Sequence, residues 1–422
     1  MQVRDGVSVV SRPPLRAWAL VNAHLIEGNP GGYAGRGGVL IADGRIAASG
    51  PDVRADSIGE VPMVDAGNRT ILPGLIDCHV HLTWSAQASP VATLIEEREL
   101  PATLALRAGA NALAALQRGT TTLRDVGSPN AVIFALREAI ARGVSPGPRV
   151  VAAGCVITTP SGHCHYVGRH ATDAGSARDA AIAQLEAGAD LIKVMTSGGL
   201  HTPGSDPASP QFSVEALRQI ADAAHAAGRR VTGHATCDAA IAAAAEAGFD
   251  SIQHGSNLQP ATAAALARAN VGITPTLDTR HFLNLHLDDP AIPEVIRTRA
   301  RTTSLNRGDA YQVALDAGVT VTAGTDSGTT FVPHGALPTE VRLLHAGGLS
   351  TRDAIAAATW TAAHEVGLAG VVGTLAPGAS ADLLVLNGDP LSDISALEDV
   401  ALVVLSGRQV SVGDDAAWSR LP

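Results

Sequence analysis

The chain has 422 residues, 46% of them apolar, and thirty Lys and Arg against forty Asp and Glu give a net charge of −10. So much apolar content argues against disorder, and an acidic balance without any Lys/Arg-rich stretch argues against a nucleic-acid partner. Four Trp, three Tyr and five Phe leave the core to Ala, Val, Ile and Leu packed against many glycines, while fifteen histidines outnumber the aromatics.

The N-terminal segment MQVRDGVSVVSRPPLRAWALV lacks a charged region followed by a long apolar one, and no run of eighteen apolar residues follows anywhere. Neither secretion nor a membrane partner is expected. Cys78, Cys155, Cys164 and Cys237 form no C-x-x-C pair, so they read as reduced thiols of a cytoplasmic protein. Residues 15–72 hold short β-like runs, and Asp43-Gly44 within 39–50 has the chemistry of a type I′ hairpin turn.

From there short apolar strands alternate with Ala-rich amphipathic helices, such as 103–118 and 214–228. Eight strands are predicted, at 75–82, 120–126, 149–158, 190–196, 229–235, 250–255, 271–277 and 319–326. Eight such units make an α/β fold of the (β/α)8 TIM-like barrel type. The close spacing of the fifth to seventh leaves a doubly wound open sheet as the alternative. β texture returns at 381–391 and 399–410. Residues 1–72 plus 367–422 are therefore expected to form a small β-sandwich domain from both chain ends, around a barrel of residues 73–366.

In a parallel barrel the active site gathers at the C-terminal strand ends. There the sequence places His79 and His81, Lys193, His234, His254 and Asp326. Two residues apart on a strand, His79 and His81 project to one face and can share a metal ion; imidazole and carboxylate suit zinc, with cobalt, manganese or iron also possible. Lys193 lies inside the apolar run DLIKVM, where an unpaired ammonium would cost at least several kcal/mol. A structural salt bridge, a Schiff base and carbamylation by CO2 are the options. Only the carbamate, an anionic group able to bridge two metal ions, also accounts for the four histidines and Asp326.

Several stretches resemble the amidohydrolase superfamily: TILPGLIDCHVHL (70–82), LIKVMTSGG (191–199), VTGHA (231–235), IQHGSNL (252–258), TAGTDSG (322–328) and GTLAPGASADLLVL (373–386). Within it the chain is most similar to the imidazolonepropionase-like binuclear hydrolases, a branch that includes Xaa-Pro and Xaa-Arg dipeptidases and an ochratoxin-hydrolysing amidase. The resemblance implies two divalent metal ions, with zinc expected. His79, His81 and Asp326 would hold the more buried ion, His234 and His254 the more exposed one, and carbamylated Lys193 would bridge them. Two cations about 3.5–4 Å apart lower the pKa of a shared water and polarise the scissile carbonyl. Asp326 is then the expected general base and proton donor to the leaving amine.

The segment TTPSGHCHYVGRH (158–170) follows the third strand. It nominates His163 as the contact to the substrate carbonyl or oxyanion, and His165, Tyr166 and Arg169 as further substrate contacts. His201 and His334 lie on loops after strands four and eight, and Arg124 or Arg280 could pair with a substrate carboxylate or, equally, form a salt bridge within the barrel. Trp84, Tyr166, Phe212, Phe282 and Phe331 fall in loops after predicted strands; facing inward, they would suit a bulky apolar substrate. His225 and His364 sit in helices and Cys78 and Cys237 beside ligand strands, positions that suit packing.

The expected enzyme is a metal-dependent hydrolase of carbon–nitrogen bonds. It would cleave the amide of an N-acyl or N-carbonyl amino acid or a dipeptide by attack of a metal-bridging hydroxide. Hydrolysis of an ester, lactone, carbamate or cyclic amide at the same site is the alternative. A Schiff-base lyase and a non-catalytic scaffold are further rivals; all six ligand positions are filled, against the scaffold. A small-molecule partner and a homo-oligomer are expected.

Overall fold

The computed structural model describes residues 17–90, 100–302 and 307–410. Parts of the predicted small domain, 1–16 and 411–422, lie outside the described residues, as does most of the N-terminal segment.

Strands from both chain ends form one eight-stranded mixed sheet. Its order is Arg408–Val410, Val400–Leu405, Leu383–Leu386, Thr70–Pro73, Ala17–Ile26, Ala34–Ala42 and Arg45–Gly50, with Met63–Asp65 paired to Ala17–Ile26. Asp43 and Gly44, both at positive φ (48° and 76°), make the expected hairpin turn. Trp18, Val39 and Ile46 from one arm share a core with Leu383 and Val404 from the other.

Gly74 separates Thr70–Pro73 of that sheet from the first barrel strand, Leu75–Val80. A Cβ there would lie 2.1 Å from Thr121 Oγ1, so only glycine lets the chain pass so close.

The barrel strands are parallel. Leu75–Val80 pairs with Thr120–Asp125, and that with Arg149–Ala152; a second sheet runs Gly168–His170, Val156–Thr158, Leu191–Met195, Arg230–Ala235, Ser251–His254 and Gly272–Thr274. The predicted third strand, 149–158, is thus two pieces. It breaks at Gly154 (φ +70°), where a Cβ would collide with Asn130 and Gln184. The eighth, 319–326, forms only isolated bridges at Val321 and Ser327. It nevertheless closes the ring: Asp326 N donates to His79 O (2.8 Å), His81 N to Ser327 O (2.9 Å) and Thr322 N to Ile273 O (2.9 Å). This closure excludes the open sheet.

Helices pack outside. In Val214–Ala226 the Ser213 hydroxyl caps Ala216 N, and Leu217, Ile220, Ala221 and Ala224 form the buried stripe. In the barrel interior, Arg124 donates to Cys78 O (2.7 Å) and to Glu365 Oε1 (2.6 Å). Of the two roles open to Arg124, the salt bridge within the barrel is the one found, and the pairing with Glu365 leaves it no substrate carboxylate to hold. Cys78 packs against Ile76, Ala362 and Ala363. Among the described residues no helix is long and apolar enough to cross a membrane.

Candidate metal centre

The strand ends bring His79, His81, Lys193, His234, His254 and Asp326 to the wall of one cavity, together with His163, Trp84 and His201. All six strand-end residues are at most 5% exposed. Donor atoms of His79, His254 and Asp326 lie within 4.8 Å of one another. His254 and Asp326 turn their backbones to φ +69° and +59°, conformations that cost of order 1–3 kcal/mol for residues other than glycine and that collect at functional sites. Gly324 and Gly199 allow the close packing: a Cβ would lie 2.9 Å from His79 Cβ at the first and 2.4 Å from His163 Nε2 at the second.

Second partners orient the imidazoles. His79 Nδ1 lies 2.8 Å from Gln253 Oε1 and His81 Nδ1 3.1 Å from Gly127 O, while His234 uses Nε2 toward Gly198 O (3.1 Å) and His254 uses Nδ1 toward Thr276 Oγ1 (2.8 Å). Gln253 Nε2 donates to Thr232 Oγ1, so its Oε1 is an acceptor. In neutral rings, His79 and His81 then keep a proton on Nδ1 and turn lone pairs at Nε2 inward, and His234 does so with Nδ1. The sequence named the rings; Gln253, Thr276 and the two glycine carbonyls carry no signal in it.

Both inward nitrogens of the H-x-H pair lie 3.2 Å from Asp326 Oδ1. Burial, and then the charge of Lys193, push the His79 imidazole down to about 3. Burial opposes ionisation of Asp326, but the facing imidazoles outweigh it and hold the carboxyl well below its usual range. Two ring nitrogens thus converge on one carboxylate oxygen, with His254 completing a donor set within 4.8 Å, and such a set fits a metal ion.

Lys193 is 1% exposed, and its Nζ also lacks a hydrogen-bond partner among the described residues. Burial lowers its ammonium to about 8.

His163 packs on His234 at 4.4 Å between ring centroids, and its Nδ1 lies 2.9 Å from Thr202 Oγ1. Trp84 stacks on His81 at 4.6 Å.

The other predicted contacts lie elsewhere. After Val156–Thr158 the chain makes a 3-10 turn at His165–Val167 and returns as Gly168–His170 alongside it, which carries three side chains away from the cavity wall. Tyr166 sits behind Trp84 with its hydroxyl toward Cys164 Sγ (3.7 Å), His165 rests on Tyr166, and Arg169 donates to Gln184 Oε1 at 2.8 Å. Phe282 packs on His281, Phe331 on His286, and Phe212 joins the main core. His334 lies behind Trp84, near its carbonyl oxygen. His225 pairs with Asp250 (3.0 Å) and His364 with the Trp360 carbonyl (2.8 Å).

Burial also gives the metal-free protein an acid sensitivity. It holds His79 and His163 down to about 3 and His334 to about 4. Between these values and about 6.5 the unfolded chain binds more protons, so stability fully present above about pH 6.5 is lost as pH falls. Asp77 acts the other way: burial raises it to about 7, so its contribution falls as pH rises from about 4 to 7. Burial likewise holds His234 down and Asp125 and Asp278 up; the four imidazoles outnumber the three carboxyls, and the urea midpoint of the chelator-treated protein is expected to be lower at pH 5 than at pH 7. An equal or higher midpoint at pH 5 contradicts that balance.

A closed parallel barrel that gathers imidazoles, a carboxylate and a lysine at its strand ends has the build of a metal-assisted hydrolase. The model of the amidohydrolase family matches residues 70–410, and the chain belongs to that family; it is a hydrolase acting on carbon–nitrogen bonds. An uncharacterized protein of Mycobacterium tuberculosis is 30% identical over 383 residues, covering 87% of this chain and 90% of that one. Ochratoxinase of Aspergillus niger is 30% identical over 365 residues, 78% of this chain and 72% of the enzyme. The solved structure of a Xaa-Pro dipeptidase with methionine bound in its active site superposes with a TM-score of 0.86 at 27% identity, over 93% of this chain and 99% of that one. The family expected from the motifs is the family found.

Proposed function

We propose that the protein is a binuclear metal-dependent amidohydrolase that cleaves the amide of an N-acyl or N-carbonyl amino acid or a dipeptide. The observation that carries this reading is Lys193. Its buried amine, without a hydrogen-bond partner among the described residues, shares a cavity with four imidazoles and Asp326. As a neutral amine it adds to CO2, forming an N–C bond and releasing a proton, so a costly cation becomes an anionic oxygen donor. His79, His81 and Asp326 would hold one divalent ion and His234 and His254 the other, with the Lys193 carbamate serving both; zinc suits these donors.

Such ions, when bound, make water more acidic and polarise a carbonyl. Asp326, kept as a carboxylate, accepts the proton of the attacking water and returns it to the leaving amine. His163 Nδ1 lies 2.9 Å from Thr202 Oγ1; in the tautomer in which that hydroxyl donates to Nδ1, the His163 proton sits on Nε2, 3.6 Å from Cys164 Sγ, from where it would donate to the developing oxyanion.

Amine release from dipeptides, N-acyl amino acids and aryl amides tests the proposal. Stripping the metal with a chelator should lower turnover at least about 100-fold, and zinc, cobalt or manganese should restore it. Undiminished turnover after metal removal would end this reading.

A further inference from the structure

We propose that Glu365 is a positioning residue for the metal ligand His79: from the far end of a buried hydrogen-bond chain it keeps the proton of that imidazole on Nδ1 and so leaves Nε2 free for the ion. The inference rests on the metal-centre reading above and gives a role to a buried carboxylate that the proposed chemistry does not use.

The chain runs through the barrel interior. His79 Nδ1 lies 2.8 Å from Gln253 Oε1, Gln253 Nε2 2.8 Å from Thr232 Oγ1, and Thr232 Oγ1 2.9 Å from Ser251 Oγ, which donates to Glu365 Oε1. Thr232 and Ser251 face each other on adjacent parallel strands, and Ser251 and Gln253 share one face of theirs because they are two residues apart. No member is more than 8% exposed, so each link is shielded from bulk water. Glu365 itself ends the helix Trp360–Glu365 and is not on the cavity wall.

The direction of each link follows from that end. The Glu365 carboxylate, ion-paired with Arg124 at 2.6 Å, has no hydrogen to give, so Ser251 directs its only hydroxyl hydrogen there. Ser251 Oγ is then an acceptor toward Thr232, whose hydrogen also finds Ser251 O at 3.2 Å. Thr232 Oγ1 therefore accepts from Gln253. The amide turns its nitrogen to Thr232 and its oxygen to His79, and the ring has to donate from Nδ1.

The opposite tautomer has a partner waiting. Asp326 Oδ1 lies 3.2 Å from His79 Nε2, and a ring protonated at Nε2 would donate to it and cover the lone pair that a metal ion needs. Asp326 and the chain thus compete for one proton, and Glu365 decides the outcome by fixing the Gln253 amide. It also steadies the backbone, because Arg124 donates from Nε to Cys78 O at 2.7 Å, one residue before His79.

Glu365→Gln would leave Arg124 without its counterion and weaken the fold itself, so the test cuts the chain elsewhere. Ser251→Ala separates Glu365 from the other members and Thr232→Val breaks the link to Gln253, both with the ion pair intact. Cobalt titration of the metal-free proteins should give a Kd about 10-fold weaker for Ser251→Ala and about 100-fold weaker for Thr232→Val, while Thr232→Ser stays within about threefold of wild type. Nitrogen NMR of metal-free protein with isotope-labelled histidines should show His79, identified by its loss in His79→Gln, protonated on Nδ1 in the wild type and on Nε2, wholly or in part, in Thr232→Val. Wild-type cobalt affinity in Ser251→Ala overturns the role of Glu365 and leaves the metal centre standing. So does a His79 ring that keeps its proton on Nδ1 in Thr232→Val, or one that carries it on Nε2 in the wild type. Wild-type protein that binds no cobalt overturns the metal-centre reading instead.

Discussion

Lys193→Ala is expected to lower kcat/KM at least about 1,000-fold while leaving the protein as stable as before or more so. Activity falls because the proposed bridging donor is gone, and metal content per chain should fall with it. Stability holds because the substitution removes a buried amine that has no hydrogen-bond partner among the described residues, and burying such a group costs several kcal/mol. Formate or acetate with added metal should restore part of the activity by supplying the missing oxygen donors. The neutral amine is the form that reacts with CO2, and burial lowers the Lys193 ammonium to about 8. Reactivation of CO2-depleted apoprotein should therefore quicken as pH rises through about 8. Turnover assays, elemental analysis and thermal melting check these points together. Full activity with two bound metals in Lys193→Ala would refute the bridging role.

Asp326→Asn should lower kcat about 10,000-fold, near the upper limit for loss of a general acid–base group. The carboxamide is nearly isosteric, so the 3.2 Å approaches to His79 and His81 can persist. What disappears is the charge facing their lone pairs and the site that carries the proton. Because the fold holds this carboxyl well below its usual range, the charge contributes stability above about pH 4, and the metal-free variant should melt below the metal-free wild type. A variant that keeps more than a tenth of wild-type kcat would rule out Asp326 as the proton carrier.

Lys193 and the histidines around Asp326 are legible in the amino-acid sequence because each breaks a local rule. Lysine inside an apolar strand and histidines repeated at strand ends are chemically expensive choices, and the strand period of two places His79 and His81 on one side. The hairpin at Asp43-Gly44 is legible for a similar reason, since few residues accept its backbone angles. Substrate contacts are far less readable. The segment after the third strand reads as a loop, but its 3-10 turn and short returning strand depend on pairing with Val156–Thr158. That pairing carries His165, Tyr166 and Arg169 away from the cavity. Loop aromatics can likewise face either way; Trp84 stacks on His81, whereas Phe331 packs with His286.

Element types, the expectation of a barrel and the donor set follow from the order of residues alone, because periodicity and residue chemistry are local properties. Folding settles what depends on neighbours distant in the chain. It places Gln253 and the Gly198 carbonyl against particular ring nitrogens, selecting which lone pairs face inward. It also separates two arginines that look alike in the sequence: Arg124 meets Glu365 in the barrel interior, 241 residues further along, and Arg280 lines a second cavity beside the metal centre. Whether a guanidinium is already matched depends on which carboxylate folding brings to it, and no local pattern records that.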